Sequence, residues 1–269
     1  MGSFGTAPTP RFEPRELITF FLSSSPRPQD EGDEGALMLH QAVLSARRTL
    51  ALRDAPTVLV FDGRHPDLSD GAWRAYQRKI ALARGDPLLR DCAVVEHAVW
   101  LHQAHGLRVA MAEHAGARPV VFSMQDDCVC FGEVDTRAVV RALLRDPLVE
   151  YVKLCWRADL RSDAYEMQPF APHPTEPLLR STHFWSDRPH FALRSHYERR
   201  VWPRIPAEAR VTMEQAVEAL SAAERDWNLW MYGRPGDMRR EAHSKYATAS
   251  SYFVRDNAPC DHHDVHDSA

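Results

Sequence analysis

Asp126 and Asp127 are adjacent carboxylates set directly behind the apolar run Pro119-Val-Val-Phe-Ser-Met124 and its closing Gln125. Side by side they repel each other and resist leaving water, so such a pair persists where water, hydrogen-bond donors or a cation offsets its charge. A divalent cation is the economical solution. Mg²⁺ or Mn²⁺ takes oxygen ligands, commonly one or two protein carboxylates, and completes its shell with water and diphosphate oxygens. The plain alternative for an Asp-Asp pair is a solvated turn. Asp62 closes another apolar run, Thr57-Val-Leu-Val-Phe61, and Ser23-Ser-Ser25 before Pro26 closes a third, Leu17-Ile-Thr-Phe-Phe-Leu22. A second chemistry-bearing cluster lies between Ser181 and Tyr197, where His183, Trp185, Asp187, His190 and Tyr197 fall close together. Aromatic faces there suit sugar rings, with polar neighbours for the hydroxyls.

These groups need elements to hold them. Leu17–Leu22 and Thr57–Phe61 are short, continuous β-type runs, as expected of strands buried on both faces, and Cys92–Glu96, Pro119–Met124 and Val149–Trp156 read as three further strands. Between them lie helical stretches: Ala36–Arg53, stopping before Pro56; Asp70–Arg84, read as an exposed helix; Gly106–His114, closed by Gly116; and a helix capped by Asp135 and running to Arg145. Strands alternating with helices predict a mainly parallel α/β sheet covered on both faces, and such sheets bind ligands beyond the carboxyl ends of their strands. The serines, Asp62 and the Asp pair all sit at carboxyl ends. Beyond Trp156 the chain is proline-rich and weakly periodic until Val211–Trp230, which predicts a helix with Thr212 as its cap. The expected organisation is a tail over 1–15, a ligand-binding half over 16–156, a loop-rich half of the same domain over 157–255, and a second tail over 256–269. The His-rich tract Asp261–Asp267 reads as unstructured, with weak binding of soft metals as the alternative.

Composition narrows the classes. The 269 residues carry 33 Lys+Arg against 37 Asp+Glu, a formal charge of -4, so there is no broad basic field to follow a nucleic-acid backbone. Five cysteines, an odd number without zinc-ligand spacing, read as reduced thiols in a cytoplasmic protein. The start lacks the apolar segment of a secretion signal, and no run approaches the roughly 18 apolar residues of a membrane span.

Leu17–Pro26, Val58–Asp62 and His102-Gln-Ala-His-Gly-Leu-Arg-Val-Ala-Met111, leading into Val120-Val-Phe-Ser-Met-Gln-Asp-Asp127, together resemble the nucleotide-binding half of a GT-A glycosyltransferase. The nearest flavour is that of family-2-like enzymes and the sugar transferases of large DNA viruses, and the resemblance spans Leu17–Trp156. Their acidic motif is similar to Gln125-Asp126-Asp127, which departs from Asp-X-Asp because position 125 is Gln. The resemblance implies a Rossmann-like GT-A fold with an acceptor-side C-terminal half. It also implies metal-dependent transfer of a sugar from a nucleoside diphosphate sugar, a UDP-sugar being expected, to a hydroxyl of a glycan or glycoprotein acceptor, with inversion. Ser23, Ser24 and Pro26 would line the nucleotide pocket, and Asp62 would accept from the base or ribose. Asp126 would face the ribose or metal-bound water, and Asp127 would ligate Mn²⁺ or Mg²⁺ at the diphosphate, where charge develops on the leaving group.

Lys79 and Arg108 are further phosphate contacts on this reading, or else exposed helix charges. The segment around Trp185-Ser-Asp-Arg-Pro-His190 resembles the acceptor side of the same enzymes, which makes Asp187 the candidate base; as an alternative it caps a helix begun near Pro189. His243 would approach the metal or diphosphate. Arg239, Arg240 and Lys245 would close over the phosphates or form a solvated basic loop. Two rivals remain. A sugar nucleotidyltransferase needs a glycine-rich, basic loop after its first strand, whereas Ser23–Gly35 has Arg27 as its only base and an acidic cluster. A non-catalytic nucleotide-sugar-binding module would keep the fold without turnover.

Overall fold

The computed structural model describes residues 12–27, 34–132, 134–154, 171–182, 185–224, 226–232 and 243–245. After a single helical turn, α1 (Pro14–Leu17), come β1 (Ile18–Ser24), α2 (Glu34–Thr49), β2 (Thr57–Phe61), α3 (Asp70–Gly85), β3 (Ala93–Glu96), α4 (His102–His114) and β4 (Val120–Gln125). The chain continues through β5 (Cys128–Cys130), α5 (Thr136–Arg145), β6 (Tyr151–Leu154), β7 (Leu179–Ser181) and β8 (His190–Leu193). It ends with α6 (Arg194–His196), which runs on as irregular helix to Arg204, then α7 (Met213–Glu224), β9 (Leu229–Tyr232) and β10 (His243–Lys245).

Eight strands form one sheet in the order β3-β2-β1-β4-β8-β6-β9-β7, and β10 pairs with β5 in a separate antiparallel ribbon. The expected alternation of strand and helix is observed, and β3, β2, β1 and β4 are mutually parallel. Their near-continuous apolar sequences divide by strand periodicity between two cores. Phe20, Leu22, Leu59, Phe61, Phe122 and Met124 face the core shared with α2, α3 and α5. Phe21, Val58, Val60 and Val121 face the core shared with α4 and α7. The caps are as read: Asp135 accepts from the Ala138 N–H at 2.9 Å, and Gly116 follows α4 with φ +60°.

The C-terminal half departs from expectation. The helix read as reaching Trp230 stops at Glu224, and Leu229-Trp-Met-Tyr232 is a fully buried strand parallel to β6. Asn228, at φ +54°, makes the break that a continuous helix could not accommodate. The proline-rich stretch supplies β7 and β8, and β8 is threaded antiparallel between β4 and β6 near the middle of the sheet. No helix begins at Pro189, so Asp187 precedes a strand instead of a helix. Likewise α3 is not an exposed helix, since Ala72, Tyr76, Lys79, Ile80 and Ala83 are buried along one side.

Parallel register sets the three central ends nearly flush. Ser23 lies opposite both Val60 and Gln125, and Ser24 opposite Phe61. The Asp62 N–H donates to Ser24 O and the Asp126 N–H to Ser23 O, both at 3.0 Å. Just past β2, the chain before α4 crosses Gly63 so closely that an added Cβ would lie 2.2 Å from the carbonyl carbon of Val99. Backbone cannot yield as a side-chain tip can. Gly63→Ala is therefore expected to lower the melting temperature by about 5 °C or more, read by calorimetry, through the overpacking it forces.

Candidate functional site at the carboxyl rim of the sheet

Asp126 is fully buried, and its carboxylate is enclosed by donors. Ser24 Oγ donates at 2.7 Å, Arg27 Nη2 at 2.5 Å, and Lys79 Nζ forms a close ion pair with the same group. Burial alone would raise the pKa of this acid; the Arg27 and Lys79 charges, with hydrogen bonds from Lys79 and Ser24, reverse that and hold it at about 2. Asp126 is thus a permanent anion at neutral pH. Lys79 is only 2 % exposed, so its ammonium turns inward from α3 to the acid and is not the exposed helix charge the sequence suggested. Tyr76, one turn earlier, donates from its hydroxyl to Ser24 O at 2.5 Å and accepts from the Asp62 N–H at 3.0 Å, joining the ends of β1 and β2.

Asp127 follows in the turn that joins β4 to β5, and unlike Asp126 it is not sealed from solvent. Its side chain retains 21 % exposure, and Arg27 Nη1 lies 3.3 Å from it, so one guanidinium spans both carboxylates. The turn of the alternative reading is present, but Asp126 within it is buried and only Asp127 is partly solvated.

Asp62 is buried at the end of β2. Its Oδ1 accepts from the N–H groups of Gly63 at 2.9 Å and Leu101 at 2.8 Å, while Oδ2 is buried without a hydrogen-bond partner. Burial raises its pKa against those donors. Beside it, His65, Trp100 and His102 form an edge-to-face series with centroids 4.2 and 5.4 Å apart. His102, at φ +63°, has its Nδ1 buried and unpartnered, and burial lowers its pKa. Two buried polar atoms without hydrogen-bond partners beside aromatic rings are features that a ligand can complete.

Asp187 also comes to this rim. It is 8 % exposed, and Gln125 Nε2 donates to its Oδ2 at 2.8 Å. The aromatic residues around it do not serve as sugar platforms. Trp185, Tyr197 and His190 have no exposed surface and pack with Tyr151 in the core beneath. Burial brings the His190 pKa down to about 3, so this imidazole is neutral and spans Arg188 O and the Tyr197 hydroxyl. The aromatic signal in the sequence was a packing signal.

Among the remaining predicted residues, Ser23 Oγ turns back to Met124 O at 3.5 Å, and Pro26 is half-buried between Ser24 and Arg27. Arg108 is exposed on α4, two turns from its N-terminus, and the structure does not bring it into the cluster. The backbone of His243 pairs with Cys130, so β10 runs beside the segment leading out of Asp127. Arg239, Arg240, His183, the acidic cluster Asp30–Asp33, the His-rich tract and most of both expected tails lie outside the described residues. Sequence reasoning missed Arg27, Tyr76, His102 and the bond from Gln125 to Asp187. Only Tyr76 carried a usable signal, lying three residues before Lys79 on one helix face.

Among the described residues no three His, Cys, Asp or Glu side chains are gathered as a metal cage. The donors nonetheless suit a cation that takes most of its shell elsewhere. Asp127 offers a partly exposed carboxylate, and the strand bearing His243 lies alongside, which fits Mg²⁺ or Mn²⁺ completed by water and phosphate oxygens.

No family model and no curated protein sequence matches the chain. Solved structures do. GalNAc-T7, crystallised with UDP, GalNAc and Mn²⁺, superposes with a TM-score of 0.54 at 11 % identity, over 82 % of this chain and 43 % of that one. The mannosyltransferase PcManGT from Pyrobaculum calidifontis, in complex with GDP-Man and Mn²⁺, gives 0.49 at 17 % identity, over 87 % of this chain and 61 % of that one. The chain thus spans less than two thirds of either of these proteins. At such identities the likeness to GalNAc-T7 shows architecture: the chain has the GT-A fold, an α/β Rossmann-like sheet flanked by helices.

The buried pair makes a stability prediction. Lys79→Met leaves a fully buried carboxylate short of one cation and should destabilise the protein by about 3 kcal/mol in urea unfolding. Asp126→Asn on that background should restore part of the loss. Because the folded pKa of Asp126 lies below its unfolded value of about 4, its contribution is fully present above that pH and is lost as pH falls toward 2.

Proposed function

We propose that the protein is a metal-dependent glycosyltransferase that moves a sugar from a nucleoside diphosphate sugar, a UDP-sugar, to a hydroxyl of a glycan or glycoprotein, with inversion. One observation carries this reading: the flush ends of β1, β2 and β4 gather an anionic Asp126, a partly exposed Asp127 and an Asp62 with an orphaned oxygen. The GT-A architecture supports it, and the named ligands of GalNAc-T7 belong to the same chemical class.

On this reading Asp62 Oδ2 accepts from an N–H of the base, seated beside Trp100 and His102, while Ser23, Ser24 and Pro26 line the nucleotide. Asp126, which has no accessible surface, anchors Arg27 and Lys79 beneath the site instead of meeting the ribose or a metal-bound water itself. Asp127 and His243 would hold Mn²⁺ or Mg²⁺, which when bound neutralises charge on the leaving diphosphate. Arg27, already between the carboxylates, is placed to take a phosphate oxygen as a charge-assisted contact. Asp187 takes the proton of the acceptor hydroxyl as its oxygen bonds to the anomeric carbon. The bond from that carbon to the diphosphate breaks on the opposite face, and its electron pair leaves with the phosphate oxygen. Among the described residues no helix is long and apolar enough to cross a membrane, and a cytoplasmic setting remains part of the proposal.

Thermal shift tests the donor side. UDP with Mn²⁺ at about a hundred times its Kd should raise the melting temperature by roughly 5 °C or more. GDP should give less, and Asp127→Ala should abolish the metal-dependent part. A shift that needs no metal, or survives Asp127→Ala unchanged, removes the metal assignment; no response to any nucleoside diphosphate removes the donor class.

A further inference from the structure

Position 125, where the acidic motif carries an amide in place of a third acid, faces Asp187. The antiparallel β4–β8 ladder brings them together: its last pair is Ser123 opposite His190, and both chains run on from there to the rim. Gln125 Nε2 donates to Asp187 Oδ2 at 2.8 Å, and since an ionised carboxylate only accepts, the amide must present its NH₂ side.

The segment bearing Asp187 is also pinned by its neighbours in the chain. The Trp185 N–H donates to Ser221 Oγ at 3.0 Å, and Ser186 Oγ donates to Glu214 Oε1 at 2.6 Å, both on α7. Ser186 O accepts from the Tyr151 hydroxyl of β6 at 2.6 Å. Among the described residues, Tyr151 from β6 and Tyr197 feel the charge of the acid, Glu214 from α7 accepts from the adjacent Ser186, Arg188 and His190 follow it in the chain, and Asp126 and Asp127 follow Gln125 in the turn after β4.

We propose that Gln125 is a positioning residue that orients the Asp187 carboxylate as a proton acceptor and couples it mechanically to the donor-side carboxylates that follow it in the chain. This rests on the reading of Asp187 as the base. The physical case lies in what other side chains would do at that place. A carboxyl group within 2.8 Å would force the two acids to share a proton, and a cation would hold the acid too weakly basic to take one. A neutral amide fixes one oxygen without either effect. The departure from three acids in the motif thereby has a cause in the second half of the chain.

The test uses the full chain carrying ¹³Cγ-labelled aspartate, with the Asp187 resonance assigned by its loss in Asp187→Asn. Gln125→Glu, which keeps the side-chain shape, and Gln125→Ala, which deletes the donor, should each move the titration midpoint of that resonance upward by roughly one pH unit. Melting temperature should change little, because the loop retains its other anchors. Hydrolysis of UDP-glucose, with water as acceptor and Mn²⁺ present, should fall about tenfold at neutral pH in Gln125→Ala, and in Gln125→Glu its acidic limb should move with the resonance. Unchanged midpoints in both variants overturn the positioning role even if Asp187→Asn abolishes hydrolysis. Shifted midpoints with full hydrolysis by Asp187→Asn uphold the contact and overturn the base.

Discussion

A carboxylate with no access to water sits at the junction of β1, β4 and α3, and the rest of the rim is arranged around keeping it charged. Desolvation of Asp126 would favour protonation or unfolding, and Lys79, Arg27 and Ser24 together outweigh it. Since these partners come from the end of β1 and the middle of α3, the ionic cluster also fixes where those elements lie. Tyr76 extends the constraint to β2 by bridging Ser24 O and the Asp62 N–H. The turn between β4 and β5 then separates two neighbouring acids by task. Asp126 turns in and is saturated; Asp127 turns toward solvent and keeps room for a ligand, with Arg27 touching both.

The sheet is a rigid floor beneath this rim. Apolar residues on β1, β2 and β4 alternate between two cores, so the strand ends are held from both faces and in mutual register. On the acceptor side the same rigidity comes from an aromatic and histidine cluster. Tyr151, Trp185, His190 and Tyr197 are all buried, and they hold up the loop that carries Asp187. Under the proposed function this places donor-side and acceptor-side acids just beyond the ends of adjacent antiparallel strands, β4 and β8, whose separation is set by backbone hydrogen bonds.

Much of the first half was legible because its signals are local. Continuous apolar runs such as Val120–Met124 can only be strands buried on both faces, and Asp135 and Gly116 mark helix ends through bonds and dihedral angles within a few residues. The second half carries short strands whose identity depends on partners far along the chain. His190-Phe-Ala-Leu193 is four residues long, and its place in the sheet is decided by β4 and β6. Leu229-Trp-Met-Tyr232 continues a helical pattern until the turn at Asn228 and the pairing with β6 make it a strand. The aromatic content of Ser181–Tyr197 was read as ligand-facing because composition does not distinguish a stacking platform from a core.

By itself the sequence determined that the central strands are parallel and buried, and that serines, Asp62 and the Asp pair emerge at their carboxyl ends, since strand periodicity and residue type suffice for both. Tertiary structure alone decided that Lys79 is the buried counter-ion of Asp126, that Arg27 spans both acids, and that Gln125 meets Asp187. Those contacts join residues 47, 99 and 62 positions apart, and no local rule of propensity or spacing reaches across such distances. They exist because the cores bring β1, α3, β4 and β8 to one edge, where a carboxylate removed from water must find its donors among whatever the fold has placed beside it.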